Sequence, residues 1–493
     1  MESFKVFIGG QWRESSDGGR FDSINPYTNR AWASIPRCTH SDVDQAVEAA
    51  YGAMSNSEWA GITATARGAL LRKLGDIITE NAEQLAEAEV NDNGKLMTEM
   101  LGQMRYLPQW FYYYGGLADK IQGAVIPVDK PENFNFTVHE PLGVIAAILP
   151  WNSPLLLLAW KMAPALAAGN TLVVKPSEYT SSSTLKLAEL VEEAGFPPGV
   201  FNVVTGAGNA VGAQLVEHPK VAKVAFTGGD AGGRAVYQAA SKHIKPVTLE
   251  LGGKSPNIVF DDANFDNAVK GVISGIFAAT GQTCLAGSRL LVQRSIHDKF
   301  VDALVAFAKT ARIGDPKDSE TQVGPVTTPV QYEKILHYIR VAKEDGAQLA
   351  LGGSPVHSPA CGDSPWFIEP TIFTQVNNKM RIAQEEVFGP VLAVIPFEDE
   401  DEAIAIANDV DFGLAAGVWT ESIKRALKVS SAIRAGTVWV NTYRAVSYMS
   451  PFGGYKQSGV GRENGMDAIY EYLQTKSVWI STADDVPNPF VMR

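Results

Sequence analysis

The sequence contains only three cysteines, Cys38, Cys284 and Cys361, and they are far apart in the chain. Three scattered thiols are too few for a disulfide framework or for a thiolate metal site. The N-terminus also lacks the long apolar core and the small-residue cleavage site of a signal peptide. We therefore expect a cytoplasmic protein in a reducing setting, with no metal site.

The chain has fewer positive than negative side chains: it contains 42 lysines and arginines and 54 aspartates and glutamates, which gives a net charge of -12. This balance disfavours a nucleic-acid surface and a polybasic membrane anchor. One stretch, from Leu142 to Trp160, has no charged residue and approaches the length of a membrane span, but Pro150 and Pro154 interrupt it. Buried parallel strands also read as continuous apolar runs, so we expect no nucleic-acid partner and no membrane partner.

Several common catalytic motifs are missing. The chain has no H-E-x-x-H and no G-x-S-x-G, and the G-G-K-S at 252–255 has Thr248 where a phosphate-binding loop needs glycine. The standard G-x-G-x-x-G is absent too, because Gly208 is followed by glycine only at Gly212. These absences exclude the simple metalloprotease, serine hydrolase and ATPase interpretations. A run at 226–233, F-T-G-G-D-A-G-G, follows a predicted strand and leads into a helix, so its amides could face an anion.

At 493 residues the chain is long enough for two or three domains. Between residues 143 and 206, apolar strand patterns alternate with helical patterns, which predicts a parallel sheet with helices on both faces. The pattern resumes near residue 221, and a second such domain begins near Leu251. A long helix is predicted over about 64–91, and further helices over about 264–280, 297–311 and 329–346. The fold class is therefore α/β, with two doubly wound parallel-sheet domains.

Two stretches alternate in the manner of exposed strands, residues 121–141 and the Y-L-Q-T-K-S-V-W-I near the C-terminus. Exposed strands of this length usually pair with a partner edge, so we expect a small β arm that mediates self-assembly. An internal hairpin is the alternative.

The reactive group suggested by the sequence is Cys284, in F-A-A-T-G-Q-T-C-L-A-G-S-R. Gly281 and Gly287 flank it, and such small residues let the backbone approach a ligand closely. Gln282 and Thr283 precede it, which favours partial exposure and thiolate chemistry over a buried structural cysteine. On these residues alone, a nucleophile and a small-residue packing turn both remain open.

Seven motifs, found in order along the chain, decide between a nucleophile and a packing turn at Cys284. Together they resemble the NAD(P)-dependent aldehyde dehydrogenase superfamily, in its hydrolytic branch, over nearly the whole chain. They are P-W-N at 150–152, K-P-S-E at 175–178, F-T-G-G at 226–229, L-E-L-G-G-K-S-P around Glu250, G-Q-T-C-L-A-G-S-R around Cys284, E-E-V-F-G-P-V at 385–391 and P-F-G-G-Y-K-Q-S-G at 451–459.

The resemblance implies a catalytic set. Cys284 is the nucleophile, and the side-chain amide of Asn152 with the backbone N–H of Cys284 binds the oxyanion. Glu250, 34 residues before Cys284, activates water to hydrolyse the thioester, a role that the CoA-acylating branch generally lacks. Lys161 and Glu463 match positions proposed in relatives as a proton relay.

The resemblance also implies a cofactor site. Lys175 and Glu178 resemble the pair that holds the adenosine ribose, and Glu386 and Phe388 resemble the residues that fix the nicotinamide ribose and ring. A carboxylate near the 2′-hydroxyl favours NAD, with NADP as a second option. Gly229 replaces the serine common in relatives. The remaining predicted cofactor residues are Trp151, Ser177, Gly208, Phe226, Thr227, Gly228, Gly229, Gly233, Leu251 and Gly252.

The domains implied are an NAD-binding domain (1–122 and 143–250), a catalytic domain (251–465) and an oligomerisation arm (123–142 and 466–493) that makes a homodimer or homotetramer. The substrate is an aldehyde, either bulky and aromatic or a carboxylated semialdehyde. CoA-acylating activity and a non-catalytic cofactor-binding protein are the alternative functions. The predicted substrate residues are Ser153, Leu157, Phe277, Arg444, which could pair a carboxylate or an aromatic ring, Tyr448 and Phe452.

Overall fold

The first sheet has six strands, and its first five are parallel. The computed structural model describes residues 1–485, 488 and 490. In spatial order the strands are Phe201–Val203, Thr171–Lys175, Val144–Ile148, Val221–Thr227, Val247–Glu250 and Gly459–Val460. The last strand runs antiparallel and pairs Gly459 with Glu250. It falls within the range 251–465 of the predicted second domain, yet it extends the first sheet; the domain boundaries stay a prediction.

Helices cover both faces of this sheet, as doubly wound topology requires. Residues between them form a short π-helix at Gly208–Gly212 and a 3₁₀ turn at Ala118–Lys120. The α-helices are His40–Ala53, Ala64–Glu80, Ala82–Asn93, Met97–Tyr106, Pro108–Leu117, Pro154–Ala167, Ser182–Ala194, Ala213–Glu217 and Asp230–Ser241.

The second sheet has seven strands, all parallel except the first, which pairs antiparallel with the second. In spatial order they are Gln348–Leu351, Thr371–Thr374, Val391–Phe397, Arg289–Gln293, Pro256–Val259, Ala415–Trp419 and Thr437–Val440. The α-helices packed around it are Phe265–Phe277, His297–Ala308, Pro329–Glu344, Arg381–Gln384, Glu400–Asn408 and Ile423–Ala432. Two doubly wound parallel sheets confirm the predicted fold class.

A third sheet forms the predicted arm. Strand Leu473–Ser481 pairs antiparallel with Asn133–Pro141 along its whole length, and Val125–Ile126 pairs with the other edge of Asn133–Pro141. Apolar side chains on this sheet are exposed, among them Val125 and Trp479. The end of the predicted arm, residues 486–487, 489 and 491–493, lies outside the described residues.

The remaining elements are short. Glu2–Ser3, Arg30–Pro36 and Arg20–Asn25 form a small sheet, and two-stranded pairs join Val6–Ile8 to Gln11–Arg13 and Phe412–Gly413 to Tyr455–Lys456. Further 3₁₀ turns lie at Ala278–Gly281, Arg294–Ile296, Pro359–Cys361 and Asp467–Tyr472.

One local prediction is wrong, and the expectation for the uncharged stretch agrees with the structure. The helix expected over 64–91 is two helices, because Asn81 ends the first one by donating from its side-chain Nδ2 to the carbonyl of Ile77. The uncharged stretch from Leu142 to Trp160 is divided between a buried strand and a mostly buried helix. Within the described part of the chain, no helix has the length and apolar character needed to cross a membrane.

Candidate active site

A cleft of about 330 Å³ opens at the carboxyl ends of the first sheet's strands, where loops of the second sheet face them. Ligands bind parallel sheets at this edge. Cys284, Glu250, Asn152 and Leu157 line the cleft together with thirteen of the fourteen predicted cofactor residues. Those thirteen are Trp151, Lys175, Ser177, Glu178, Gly208, Phe226, Thr227, Gly228, Gly229, Leu251, Gly252, Glu386 and Phe388.

The turn that carries Cys284 follows helix Phe265–Phe277 through an unusual backbone. Ala279, Thr280 and Gly281 are consecutive residues with positive φ, at 53°, 54° and 68°. A Cβ at Gly281 would lie 2.1 Å from the carbonyl oxygen of Gly389, so this position requires glycine. Strained left-handed residues cluster at functional sites, where surrounding contacts hold them in place.

The thiol of Cys284 is half-buried. Its pKa is raised to about 12, first by burial and then by the carboxylates of Glu250 and Glu386, while its own N–H and the ammonium of Lys95 oppose the shift. The sequence predicts a thiol that ionises readily, and the structure differs, because the protein environment favours the neutral thiol. Attack by this sulfur therefore requires that a base take its proton.

Asn152 lies beside this turn. Its side-chain Nδ2 donates to the carbonyl of Gln282, over 3.1 Å, and the residue is buried. Gln282 is itself held by the backbone around Pro325 and Thr327, at 3.3 and 3.0 Å. Because Nδ2 carries two protons and one is used here, the second is free to donate to a ligand oxygen.

Glu250 ends strand Val247–Glu250 and is buried, with both carboxyl oxygens lacking a hydrogen-bond partner. Its pKa lies well above the usual value, first because of burial and then because of the nearby carboxylate of Glu463; Lys161 and Arg462 oppose this shift. A buried and unpartnered carboxyl group with a raised pKa is suited to accept a proton near neutral pH.

Lys161 and Glu463 form a fully buried ion pair. The ammonium of Lys161 also donates to Thr227 Oγ1, over 2.7 Å, and Thr227 lines the cleft. Neither Lys161 nor Glu463 lines the cleft directly, and one oxygen of Glu463 has no partner. The pair therefore lies one layer behind Glu250 and acts on it through charge.

At one end of the cleft the ammonium of Lys175 contacts the carboxylate of Glu178, over 3.1 Å. Gly208 and Gly229 line the same end, and a Cβ at either would meet nothing within 4 Å, so both positions leave open space. A cation beside a carboxylate, next to open backbone, suits a ribose and its phosphates.

At the other end Glu386 Oε1 accepts the N–H of Gly253, over 2.9 Å, and burial raises the pKa of Glu386. Phe388 has a φ of 58° and its ring meets Trp151 edge to face, with centroids 5.3 Å apart. Its carbonyl accepts from Gln331, over 2.9 Å. A flat aromatic wall and an acidic acceptor face the thiol from this side.

Of the predicted residues, eight do not line the cleft: Lys161 and Glu463, placed above, Tyr448 and Phe452, which belong to an aromatic cluster, and the four that follow. Gly233 lies in helix Asp230–Ser241, where a Cβ would lie 2.5 Å from the Leu251 side chain, so it packs against Leu251 instead. Phe277 lines a second cavity outside this cleft. Arg444 donates to the Ser274 carbonyl, over 3.2 Å, with a φ of 65°. Ser153 is buried and accepts from Lys95.

An aromatic cluster packs against the same hydrophobic core as Cys284. Tyr448 contacts the rings of Tyr106, Trp110 and Tyr113, with centroids 5.2–6.0 Å apart. Trp110 stacks on Trp160, and Trp160 meets Phe452 edge to face at 5.1 Å. Cys284 and Tyr448 pack against the same hydrophobic core as these rings.

Several cleft residues have no motif that would single them out. Tyr179, Gln331 and Lys334 line the cleft, the last two from helix Pro329–Glu344. An amphipathic helix far along the chain shows only its periodicity, so no sequence signal places its polar side chains here. Lys95 and its acidic neighbours were missed for the same reason.

A thiol, an amide donor and a carboxyl group thus line one cleft together with the Lys175–Glu178 ion pair and open glycines. The family model described as "Aldehyde dehydrogenase family" matches residues 12–478. The chain is 46% identical over 496 residues to the (Z)-2-((N-methylformamido)methylene)-5-hydroxybutyrolactone dehydrogenase of Acinetobacter baylyi, with 100% of each chain covered. It is 45% identical over 490 residues to retinaldehyde dehydrogenase 3 of Homo sapiens, covering 98% of this chain and 94% of the relative.

Solved structures of a betaine aldehyde dehydrogenase are also similar to this chain. A betaine aldehyde dehydrogenase from Staphylococcus aureus, a point variant in complex with NAD+, matches with a TM-score of 0.98 and 42% identity, covering 100% of both chains. A second structure of that enzyme with NAD+ has a TM-score of 0.97 at the same identity, covering 99% of this chain and 97% of the other. The chain belongs to the aldehyde dehydrogenase family.

Proposed function

We propose that this aldehyde dehydrogenase oxidises a bulky, largely apolar or aromatic aldehyde to its carboxylic acid with NAD. The observation that carries the proposal is the common cleft: Cys284, Asn152 and Glu250 line it beside the residues suited to hold a dinucleotide. In this proposal residues 1–122 and 143–250 bind the cofactor, 251–465 supply the nucleophile, and 123–142 with 466–493 form the oligomerisation arm.

The residues present fit NAD. Lys175 and Glu178 would hold the adenosine ribose, and the open positions at Gly208 and Gly229 leave room for the pyrophosphate. Glu386 would accept from the nicotinamide ribose, beside the ring of Phe388. NAD in that place supplies the acceptor for the aldehyde hydride. The Glu178 carboxylate would repel a 2′-phosphate, which favours NAD over NADP.

The first task of the chain is to make the aldehyde carbon tetrahedral. The Cys284 sulfur attacks the carbonyl carbon as a thiolate after its proton has passed to water in the open cleft, so Glu250 stays unprotonated for the later hydrolysis. The second proton of Asn152 Nδ2 donates to the developing oxyanion, together with the N–H of Cys284. Such preorganised donors act strongly here because Asn152 is buried.

The second task is to release the product. After hydride leaves the carbon, the acyl group is bound to Cys284 as a thioester. Glu250 takes a proton from water, whose oxygen attacks the thioester carbonyl, and the Cys284 sulfur leaves and is reprotonated. The raised pKa of Glu250 supports its role as the base. The presence of this carboxyl group favours hydrolysis to an acid over transfer of the acyl group to CoA.

The substrate class follows from the aromatic cluster. The partly buried Tyr448 packs, like Cys284, against a hydrophobic core that contains the rings of Trp160 and Phe452. Aromatic side chains contribute large buried areas to a ligand, and they tolerate bulky apolar groups. Arg444 is tied to a backbone carbonyl of Ser274, which weakens the alternative of a carboxylated semialdehyde.

One observation supports the proposed cellular setting, and another supports the proposed oligomeric state. All three cysteines are free, which suits a reducing cytoplasm. The arm sheet exposes apolar side chains at Phe134, Trp479 and Ile480, which supports a homodimer or homotetramer.

The test is NADH formation with a panel of aliphatic, aromatic and carboxylated aldehydes, without CoA. Cys284→Ala is compared with Cys361→Ala, which removes a buried thiol outside the cleft. We expect the first variant to lose turnover and the second to keep it, with aromatic or bulky aldehydes ranked first. Turnover in Cys284→Ala would overturn the mechanism, and a strict need for CoA would establish the acylating alternative. A preference for carboxylated aldehydes that Arg444→Ala abolishes would overturn the substrate proposal.

A further inference from the structure

A buried cluster of three charged side chains lies behind the catalytic turns, and the reaction outlined above gives none of them a role. Glu89, at the end of helix Ala82–Asn93, is 0% exposed and Lys95 is 5% exposed. Glu99, in the first turn of helix Met97–Tyr106, has one carboxyl oxygen that is buried without a partner. Charged groups are rarely buried unless they are paired or used.

Each member holds a different part of the active site. The ammonium of Lys95 donates to Ser153 Oγ, over 2.8 Å, and Ser153 is the residue after Asn152. The carboxylate of Glu89 accepts the backbone N–H of Leu155, over 2.8 Å. Both contacts therefore fix the turn that carries the oxyanion amide.

The third contact is on the other side of the thiol. The carboxylate of Glu99 accepts the N–H of Ala279, over 2.9 Å. Ala279 begins the run of positive-φ residues that leads to Cys284, and such a backbone persists only where its surroundings hold it. One short segment, residues 89–99, thus contacts the Asn152 turn and the Cys284 turn together.

We propose that Lys95 is a positioning residue for aldehyde oxidation, which with Glu89 and Glu99 holds Asn152 and Cys284 so that amide and thiol face the same carbonyl. The proposal rests on the proposed function. Burial lowers the pKa of Lys95 to about 8; Glu99, Glu89 and Cys284 favour its ammonium form, and Arg444 opposes it.

The charge of Lys95 also affects the pKa of the Cys284 thiol. Its ammonium lowers the pKa of Cys284 against the opposing carboxylates of Glu250 and Glu386. A residue that served stability alone would leave the ionisation of Cys284 unchanged. This difference supplies a measurement that does not depend on turnover.

The test compares Lys95→Met with Lys245→Met. Lys245 is a buried lysine in the first domain whose ammonium donates to the carbonyls of Val216 and His218, both over 2.6 Å. For Lys95→Met we expect kcat to fall on the order of 100-fold, as for a misplaced reacting group, with KM for NAD unchanged. At pH 7, where Lys95 with its pKa of about 8 is charged, iodoacetamide alkylation of Cys284 in the cofactor-free protein, followed by peptide mass spectrometry, should be slower by about tenfold.

Lys245→Met should lower thermal stability without changing either quantity. If Lys95→Met does not fold, Ser153→Ala keeps the charge in place and removes only its partner; we expect a smaller fall in kcat and no change in the alkylation rate at pH 7. Unchanged kcat and alkylation rate in Lys95→Met, or equal losses in Lys245→Met, would overturn the proposal. Turnover in Cys284→Ala would instead defeat the proposed function, so the two failures are distinguishable.

Discussion

Replacing Glu250 by glutamine should stop the reaction after a single turnover. The structure leaves no second base for the thioester, because Glu463 is paired with Lys161 and Glu386 accepts from Gly253. A general base contributes on the order of 10²–10⁴ in rate, about 2.7–5.4 kcal/mol. Since both oxygens of Glu250 are unpartnered and no carboxylate nearby is free to replace it, we expect the upper part of this range.

The assay is rapid mixing of enzyme, NAD and an excess of aldehyde, followed by NADH absorbance. Glu250→Gln should give one NADH for each subunit and then a steady rate lower by about 10³–10⁴. A small added thiol should restore turnover, because it removes the acyl group from Cys284 without a base for water. Steady turnover near the wild-type rate would refute the role of Glu250, and absence of the first NADH would show that it is needed before hydride transfer.

Loss of folding is not an alternative explanation for this result. The pKa of Glu250 is raised above 4.5 in the folded chain, so its contribution to stability is fully present below that pH and is lost as the pH rises through the folded pKa. Glutamine stays neutral and avoids that loss. The variant should therefore melt at the same temperature as the parent protein at neutral pH, or higher.

Three further substitutions probe the same site. Asn152→Ala removes an oxyanion donor and should lower kcat by on the order of 10²–10³ while NAD still binds, as measured by steady-state kinetics and titration of the cofactor. Glu463→Gln removes a charge that raises the pKa of Glu250, so the rise of the deacylation rate with pH should move to lower pH; a shift to higher pH would contradict the assignment. Gly252→Ala places a Cβ 2.5 Å from the Glu386 carboxylate, which should displace it and raise KM for NAD about tenfold, with kcat changed less.

Much of the fold and cleft could be predicted because the informative residues follow strands. Lys175 and Glu250 each end a buried strand of one parallel sheet, so their positions at a common edge follow from the pattern alone. Gly233 could not be placed in this way, since its role depends on the packing of Leu251 against a helix. The break at Asn81 was missed because its side chain competes with the backbone for a helical carbonyl, which periodicity does not reveal.

The buried charged residues that support the active-site turns could not be predicted, for a different reason. Lys95 lies in the short turn between helices Ala82–Asn93 and Met97–Tyr106, and Glu99 lies in the first turn of the second helix. Their contacts with Ser153 and Ala279 join positions 58 and 180 residues apart. Likewise the reluctance of the Cys284 thiol to ionise depends on burial and on carboxylates from distant strands. The local sequence shows which charged groups are present, but the electrostatic field around them depends on the folded chain.

The antiparallel strand Gly459–Val460 has a consequence for biosynthesis. It is the edge partner of the strand that ends in Glu250, so the base acquires its neighbour only after 210 more residues have been translated, from 250 to 460. At roughly 5–20 residues per second this takes on the order of 10–40 s. A nascent chain therefore contains Cys284 long before the edge strand beside Glu250 is in place. The active site is complete only when synthesis is nearly finished.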